Sequence, residues 1–137
     1  MVVVDGAGVP LGIHVTSASP AEVTLVDATL RTIRVRRGRR LRHPTWLIGD
    51  RAYDSDALRE RLARRGITVI VPYRENRVVR KYEDGRHLRR YRRRWVIERT
   101  FAWFGSFRRL LVRHERLSSM YSSLLYFAAA LIALRRF

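Results

Sequence analysis

Residues 91–104 read Tyr91-Arg-Arg-Arg94-Trp-Val-Ile-Glu98-Arg-Thr-Phe-Ala-Trp-Phe104, with one carboxylate set inside a strongly basic stretch. On a helix, positions 91, 94, 98, 101 and 105 fall on one face, so Tyr91, Arg94 and Glu98 line up. Trp95, Phe101 and Ala102 form an adjoining stripe with apolar surface to bury. Glu98 then has two roles open to it. It closes a helix ion pair with Arg94 or Arg99, or it is a metal-binding carboxylate held where a phosphate backbone must approach.

A second acid stands in a comparable context. Thr45-Trp-Leu-Ile-Gly-Asp50 is a short apolar run ending in a carboxylate, followed by Arg-Ala-Tyr53-Asp-Ser-Asp56 and a helix-like segment to Arg65. Gly66-Ile-Thr-Val-Ile-Val-Pro72 reads as the next strand. Open α/β sheets place ligands at the carboxyl ends of their strands, which is where Asp50 would sit. Asp54 or Ser55 suits the N-cap of the intervening helix. Taken by itself, Asp50 could equally do no more than open a turn.

The charge balance is extreme. Arginine and lysine total 29 against 12 acids, a net charge of +17, and Lys81 is the only lysine. Guanidinium forks match phosphate oxygens in pairs, and so large a positive charge favours polyanions. The basic clusters are Arg36 to Arg42, Arg89 to Arg94, and Arg108-Arg109. Charge says nothing about sequence preference, and solvated charge or a basic face meeting acidic lipid would give the same composition.

A chain of 137 residues, 47% of them hydrophobic, suits a single domain spanning 1–137. The absence of cysteine excludes disulfides and thiolate metal sites, and the four histidines lack ligand spacing. No secretory signal opens the chain. The apolar run from Leu124 to Leu134 is shorter than the about 20 residues that span a bilayer, so it reads as a buried C-terminal helix. A cytoplasmic protein without a membrane partner is expected.

The order of elements is consistent along the chain. Val2 to Val4 and Leu11 to Thr16 are two strands joined by the turn Asp5-Gly-Ala-Gly-Val-Pro10. Ser19-Pro20 opens a helix from about Ala21 to Ile33. A basic loop leads to a strand at 45–49, a helix at about 55–65 and a strand at 67–71. A charge-mixed loop from Arg74 to Arg86 precedes the Glu98 helix at 91–104, and a last helix runs from about Ser118 to Leu134.

Tyr91-x2-Arg94-x3-Glu98 resembles the signature of DDE-type transposases of bacterial insertion sequences. Asp50-x-x-Tyr53 looks like the second catalytic motif of the same family. The resemblance covers nearly the whole chain and implies an α/β, RNase H-like fold lacking its first strand, with a C-terminal helix. In that family three carboxylates hold two divalent ions, so Asp50 and Glu98 are implied as catalytic ligands of Mg²⁺. The third acid would lie on the missing strand. Asp5, in Asp-x-x-Gly-x-Pro-Leu, matches the family's turn between the next two strands rather than that acid. Tyr91, Arg92, Arg93 and Arg94 are expected to face DNA.

Two positions depart from the family pattern: Gly105 stands where the signature ends in Lys, and Glu22 stands where many relatives have Asp. Arg108 or Arg109, one further turn along the Glu98 face, would take the role of that Lys. The implied partners are double-stranded DNA with transposon ends, a homodimeric copy, and an upstream-frame polypeptide supplying the first Asp. The expected function is therefore Mg²⁺-dependent DNA strand cleavage and transfer in DNA transposition, by a fragment with little activity alone. The alternative is a non-catalytic, arginine-rich DNA-binding remnant.

Overall fold

In a computed structural model, the protein is described over residues 1–37, 40–41, 43–79 and 85–136, with only the backbone given for 36, 37, 40 and 41. The side chains of the Arg36 to Arg42 cluster and Lys81 lie outside that description. Strands β1 (Val2–Val4) and β2 (Pro10–Ile13) form an antiparallel hairpin. Three successive β-branched residues favour extended backbone in β1. Its turn is closed by Asp5, whose Oδ1 accepts the N–H groups of Ala7 at 2.8 Å and Val9 at 2.9 Å. Gly8 lies at φ 86°, a conformation that side chains with a Cβ rarely adopt. Asp5 is thus a turn residue, as its motif suggests.

Helix α1 spans Glu22–Arg31. It begins one residue later than the Ser19-Pro20 pair implies. Ala21 holds the extended N-cap position without a side-chain cap, so Ser19 and Pro20 precede the helix rather than start it. A short ladder of β3 (Arg36–Arg37) and β4 (Arg40–Leu41) occupies the expected basic loop. β5 (Trp46–Ile48) and β6 (Thr68–Ile70) pair in parallel, Leu47 opposite Val69, with α2 (Asp56–Ala63) between them in sequence. Ser55 caps α2, accepting the Leu58 N–H at 3.3 Å, which leaves Asp54 for another task.

The basic region after β6 is more helical than its charge suggests. α3 (Gly85–Tyr91) runs into a 3₁₀ turn at Arg92–Arg94 and then α4 (Trp95–Gly105). α5 (Arg108–Leu111) is a single turn, and α6 spans Ser118–Leu134. The expected helix at 91–104 is therefore two segments joined by a tighter turn.

Two cores hold these elements together. Val26, Leu30, Ile33, Leu58, Leu62 and Ile67 form the first, under α1 and α2, and Val3, Leu11, Leu47 and Val69 pack against it. Ile13, Phe104, Ala128, Ala129 and Ile132 form the second, with Val2, Trp103 and Phe107 alongside. Val2 and Val3 feed opposite cores because successive strand residues point to opposite faces. The hairpin is thus sandwiched between α1 and α2 on one side and α4 and α6 on the other. Both strand pairs rest on the α1–α2 layer, yet among the described residues β1 and β5 do not pair with each other. The architecture is mixed α/β with small, separate sheets.

Candidate functional site

Asp50 lies just past the end of β5 and is the N-cap of a 3₁₀ turn, Arg51–Tyr53. Its Oδ1 accepts the Ala52 N–H at 2.9 Å, and its carbonyl accepts from the Tyr53 N–H at 3.2 Å. Gly49 makes room for this turn, since a Cβ there would come within 3.2 Å of the Tyr53 ring. The Tyr53 hydroxyl reaches α1 and donates to Glu22 Oε2 at 2.7 Å. Burial, the Glu22 hydrogen bond and the negative charges of Glu22 and Asp50 all push the Tyr53 phenol above its ordinary range. The Asp-x-x-Tyr motif therefore ties the carboxyl end of β5 to the first residue of α1.

Asp54 anchors the loop that follows β6. Its side chain is 1% exposed and accepts from Arg59 Nη1 at 2.6 Å, Arg77 Nη1 at 2.9 Å and the Arg74 N–H at 2.9 Å. Arg59 also donates to the Val71 carbonyl at 2.9 Å. The Arg59 and Arg77 guanidiniums lie 4.6 and 4.7 Å from the Tyr73 ring centre. Burial alone would raise the Asp54 carboxyl, but the Arg74 N–H and the Arg59 and Arg77 charges outweigh it and hold it below the usual range. In the sequence Asp54 stands out only as a candidate helix cap. The neighbouring acids and Arg59 are visible there, but the long-range partners Arg74 and Arg77 are not.

The three signature residues, at the end of α3, in the 3₁₀ turn and on α4, are linked in a line. The Arg94 guanidinium lies 5.9 Å from the Tyr91 ring centre, and its Nη2 is 2.7 Å from Glu98 Oε1. The ion pair uses Arg94 rather than Arg99. Glu98 remains 58% exposed, and Trp95 and Phe101, one turn to either side, are also exposed. The opposite face buries Val96, Thr100 and Phe104.

Buried Thr100 and two arginines nearer the surface grip the hairpin turn. Thr100 Oγ1 donates to the Gly8 carbonyl at 2.8 Å, Arg99 Nη2 to the Ala7 carbonyl at 2.7 Å, and Arg93 Nη2 to the Gly6 carbonyl at 3.3 Å. Arg99 sits between Trp95 and Trp103, with ring centres 4.7 and 4.9 Å away.

The remaining expected residues lie apart from this line. Arg92 and Arg108 are exposed. Arg109 lies 3.9 Å from Glu115. α4 ends at Gly105 and Phe107 is extended, so Arg108 and Arg109 begin a separate turn instead of continuing the Glu98 face. Asp50 contacts the Ala52–Tyr53 turn and Glu98 contacts Arg94; no hydrogen bond or ion pair among the described residues joins the two acids. Carboxylate oxygens of this kind suit a hard divalent cation. Among the described residues, however, no group of three acid or imidazole side chains assembles that could hold one.

Residues 1–132 match the family of the transposase DDE domain. The chain is 38% identical over 135 residues to a Burkholderia cepacia protein named as a transposase for insertion sequence element IS402. That alignment covers 96% of this chain and 60% of the relative, so the chain spans less than two thirds of the relative's length. No solved structure matches significantly. With a family match over almost its entire length, the chain belongs to the transposase DDE domain family.

Proposed function

We propose that the chain is the DNA-handling part of a transposase that cleaves and joins DNA strands for transposition, with Asp50 and Glu98 as ligands of Mg²⁺. The observation that carries this reading is the continuous Tyr91–Arg94–Glu98 line from the end of α3 into α4, together with an acid, Asp50, just past the end of a parallel strand. The fold is read as RNase H-like. β1 and β5 belong to separate strand pairs that rest on one helix layer, and a further strand from an upstream polypeptide would join them. That strand would carry the third acid, which the donor set otherwise lacks.

Each residue has a task in this scheme. Asp50 is held in place by the Ala52 N–H, and Oδ2 is left for a cation. Glu98 offers Oε2 while Oε1 stays on Arg94. Arg94 orients Glu98 and, with Tyr91, meets substrate phosphate. A divalent pair, when bound, activates the attacking hydroxyl and stabilises the leaving oxygen. Exposed Arg92 and Arg108 contact the DNA backbone, and the protein works in the cytoplasm.

The test is a strand-transfer assay on the chain as given and on the chain extended by the frame preceding Met1. Mg²⁺-dependent activity is expected only in the extended form, and it should disappear in Asp50→Asn and Glu98→Gln. Activity that survives both substitutions would sink the assignment. A non-catalytic DNA-binding remnant is the second reading, favoured by the local engagement of both acids. Salt-sensitive DNA binding without activity in either form would select it.

A further inference from the structure

Asp50 is carried by a turn that has little strength of its own. Arg51–Tyr53 is a single 3₁₀ turn, and the hydrogen bonds of such turns have poorer geometry than those of an α-helix. Two hydrogen bonds close it on Asp50: the Ala52 N–H on Oδ1 at 2.9 Å and the Tyr53 N–H on the carbonyl at 3.2 Å. The rest of its support comes from outside. On the far side Asp54 is held by Arg59, Arg77 and the Arg74 N–H. Toward α1 the support is Tyr53, whose ring packs against the first core and close to Gly49.

Packing accounts for the ring but not for the hydroxyl. A phenylalanine would fill the same space, yet the Tyr53 hydroxyl donates to Glu22 Oε2 at 2.7 Å, across 31 positions of sequence. Glu22 is the first residue of α1, and a carboxylate there would interact favourably with the helix N-terminus wherever it pointed. Its side chain reaches out of the helix to the turn that carries Asp50. α1 is a firm base for this contact, with Val26, Thr29 and Leu30 buried.

We infer that Glu22 is a positioning residue for Asp50: α1 fixes Glu22, Glu22 fixes the Tyr53 hydroxyl, and Tyr53 fixes the turn that carries the Asp50 carboxylate. Glu22 acts through Tyr53 and holds neither metal nor substrate. The inference rests on the reading of Asp50 as a metal ligand. Ligands must be held within about 0.5 Å of their working geometry, and partners that orient them from behind contribute about 10- to 100-fold in metal affinity or activity. The Glu22–Tyr53 contact is exposed, so it contributes little to overall stability. Its loss should therefore loosen Asp50 without unfolding the chain.

The test compares Tyr53→Phe, Glu22→Ala, their combination and Glu22→Gln. In the chain as given, without metal, amide hydrogen exchange at Ala52 reads the placement of Asp50, because Asp50 Oδ1 holds that N–H. Exchange at Ala52 and Tyr53 should quicken several-fold in Tyr53→Phe and in Glu22→Ala. The double variant should go no further, since both changes remove one shared contact. Glu22→Gln keeps an acceptor oxygen at the same reach and should restore protection. The Leu58 N–H, capped by Ser55, should be unaffected throughout, which marks the effect as local. In the upstream-extended chain Tyr53→Phe and Glu22→Ala should each need about 10-fold more Mn²⁺ for half-maximal strand transfer, and Glu22→Gln should restore the lower requirement. Unchanged exchange at Ala52, additive effects in the double variant, or an equal rise at Leu58 would overturn the inference. So would a Glu22→Gln variant as impaired as Glu22→Ala, which would make the charge and not the hydrogen bond the contribution. An unchanged Mn²⁺ requirement, where Asp50→Asn is inactive, would overturn it too. Activity that survives Asp50→Asn would remove the metal-ligand reading instead, and the exchange result is independent of it.

Discussion

The Arg94 guanidinium sits 2.7 Å from the Glu98 carboxylate, four residues along the same helical face. Both side chains are well exposed, so the pair contributes at most about 1 kcal/mol to stability. Arg94→Ala should therefore leave the melting behaviour almost unchanged. In the upstream-extended chain the proposed role of Arg94, orienting Glu98 and meeting phosphate, predicts that the same substitution strongly reduces strand transfer. Unchanged transfer would reduce Arg94 to an ordinary surface partner.

Asp54 behaves in the opposite way, because its carboxylate is buried and shared by two arginines. Asp54→Asn leaves the buried Arg59 with only the more distant Asp56 carboxylate, 3.5 Å away, and should cost about 3 kcal/mol in urea unfolding at neutral pH. The pH dependence follows from the direction of its shift. A carboxyl held below its unfolded value contributes stability above the ordinary Asp value of about 4, and that stability is lost as pH falls through the lower folded value. Acid unfolding of Asp54→Asn should lack this component. Identical acid profiles for the two proteins would contradict the ion-pair account.

Gly12 packs directly under α1. A Cβ there would sit 2.7 Å from Thr32 Oγ1, 2.8 Å from Ile33 Cγ1 and 3.1 Å from the Thr29 carbonyl oxygen. Thr29 is fully buried and its carbonyl is backbone, so the clash cannot be relieved by one side chain alone. Gly12→Ala should destabilise the protein by about 1–3 kcal/mol, the cost of overpacking. Calorimetry showing an unchanged transition would mean that α1 does not press on the hairpin as described.

Much of the fold is legible in the sequence because local chemistry and packing agree. Val2 and Val3 face opposite cores, Ser55 caps its helix, and α6 covers the expected span from Ser118 to Leu134, although only Ala128, Ala129 and Ile132 of this expected buried helix are buried. Asp5 is readable as a turn residue from the glycines around it. The departures arise where distant contacts decide. The signature stretch has the spacing of one helix, but a 3₁₀ turn at Arg92–Arg94 breaks it just before Thr100 and Arg99 dock on the Gly6–Gly8 turn. Arg108 and Arg109 leave the Glu98 face because the chain bends at Phe107. The Asp54 network joins residues more than twenty positions apart, which spacing cannot reveal.

Arginine–phosphate contacts release counterions, so binding to duplex DNA should weaken steeply with salt. Arg92→Ala and Arg108→Ala should each lower the slope of log affinity against log salt by about one unit for each phosphate left unneutralised. Arg93 already donates to the Gly6 carbonyl, so Arg93→Ala should change the slope less than Arg92→Ala does. Equal effects at positions 92 and 93 would show that Arg93 leaves the turn to meet DNA.

The claim that Asp50 and Glu98 serve one metal site is tested most directly by Mn²⁺ titration of the upstream-extended chain, followed by nuclear magnetic resonance. Ligands of one metal pair should lie within roughly 10 Å of each other. Backbone resonances around Asp50 and around Glu98 should therefore broaden together at the same Mn²⁺ concentration. Asp50→Asn or Glu98→Gln should abolish the effect at both places. Broadening confined to one acid, or broadening at Glu98 that persists in Asp50→Asn, would contradict a shared site.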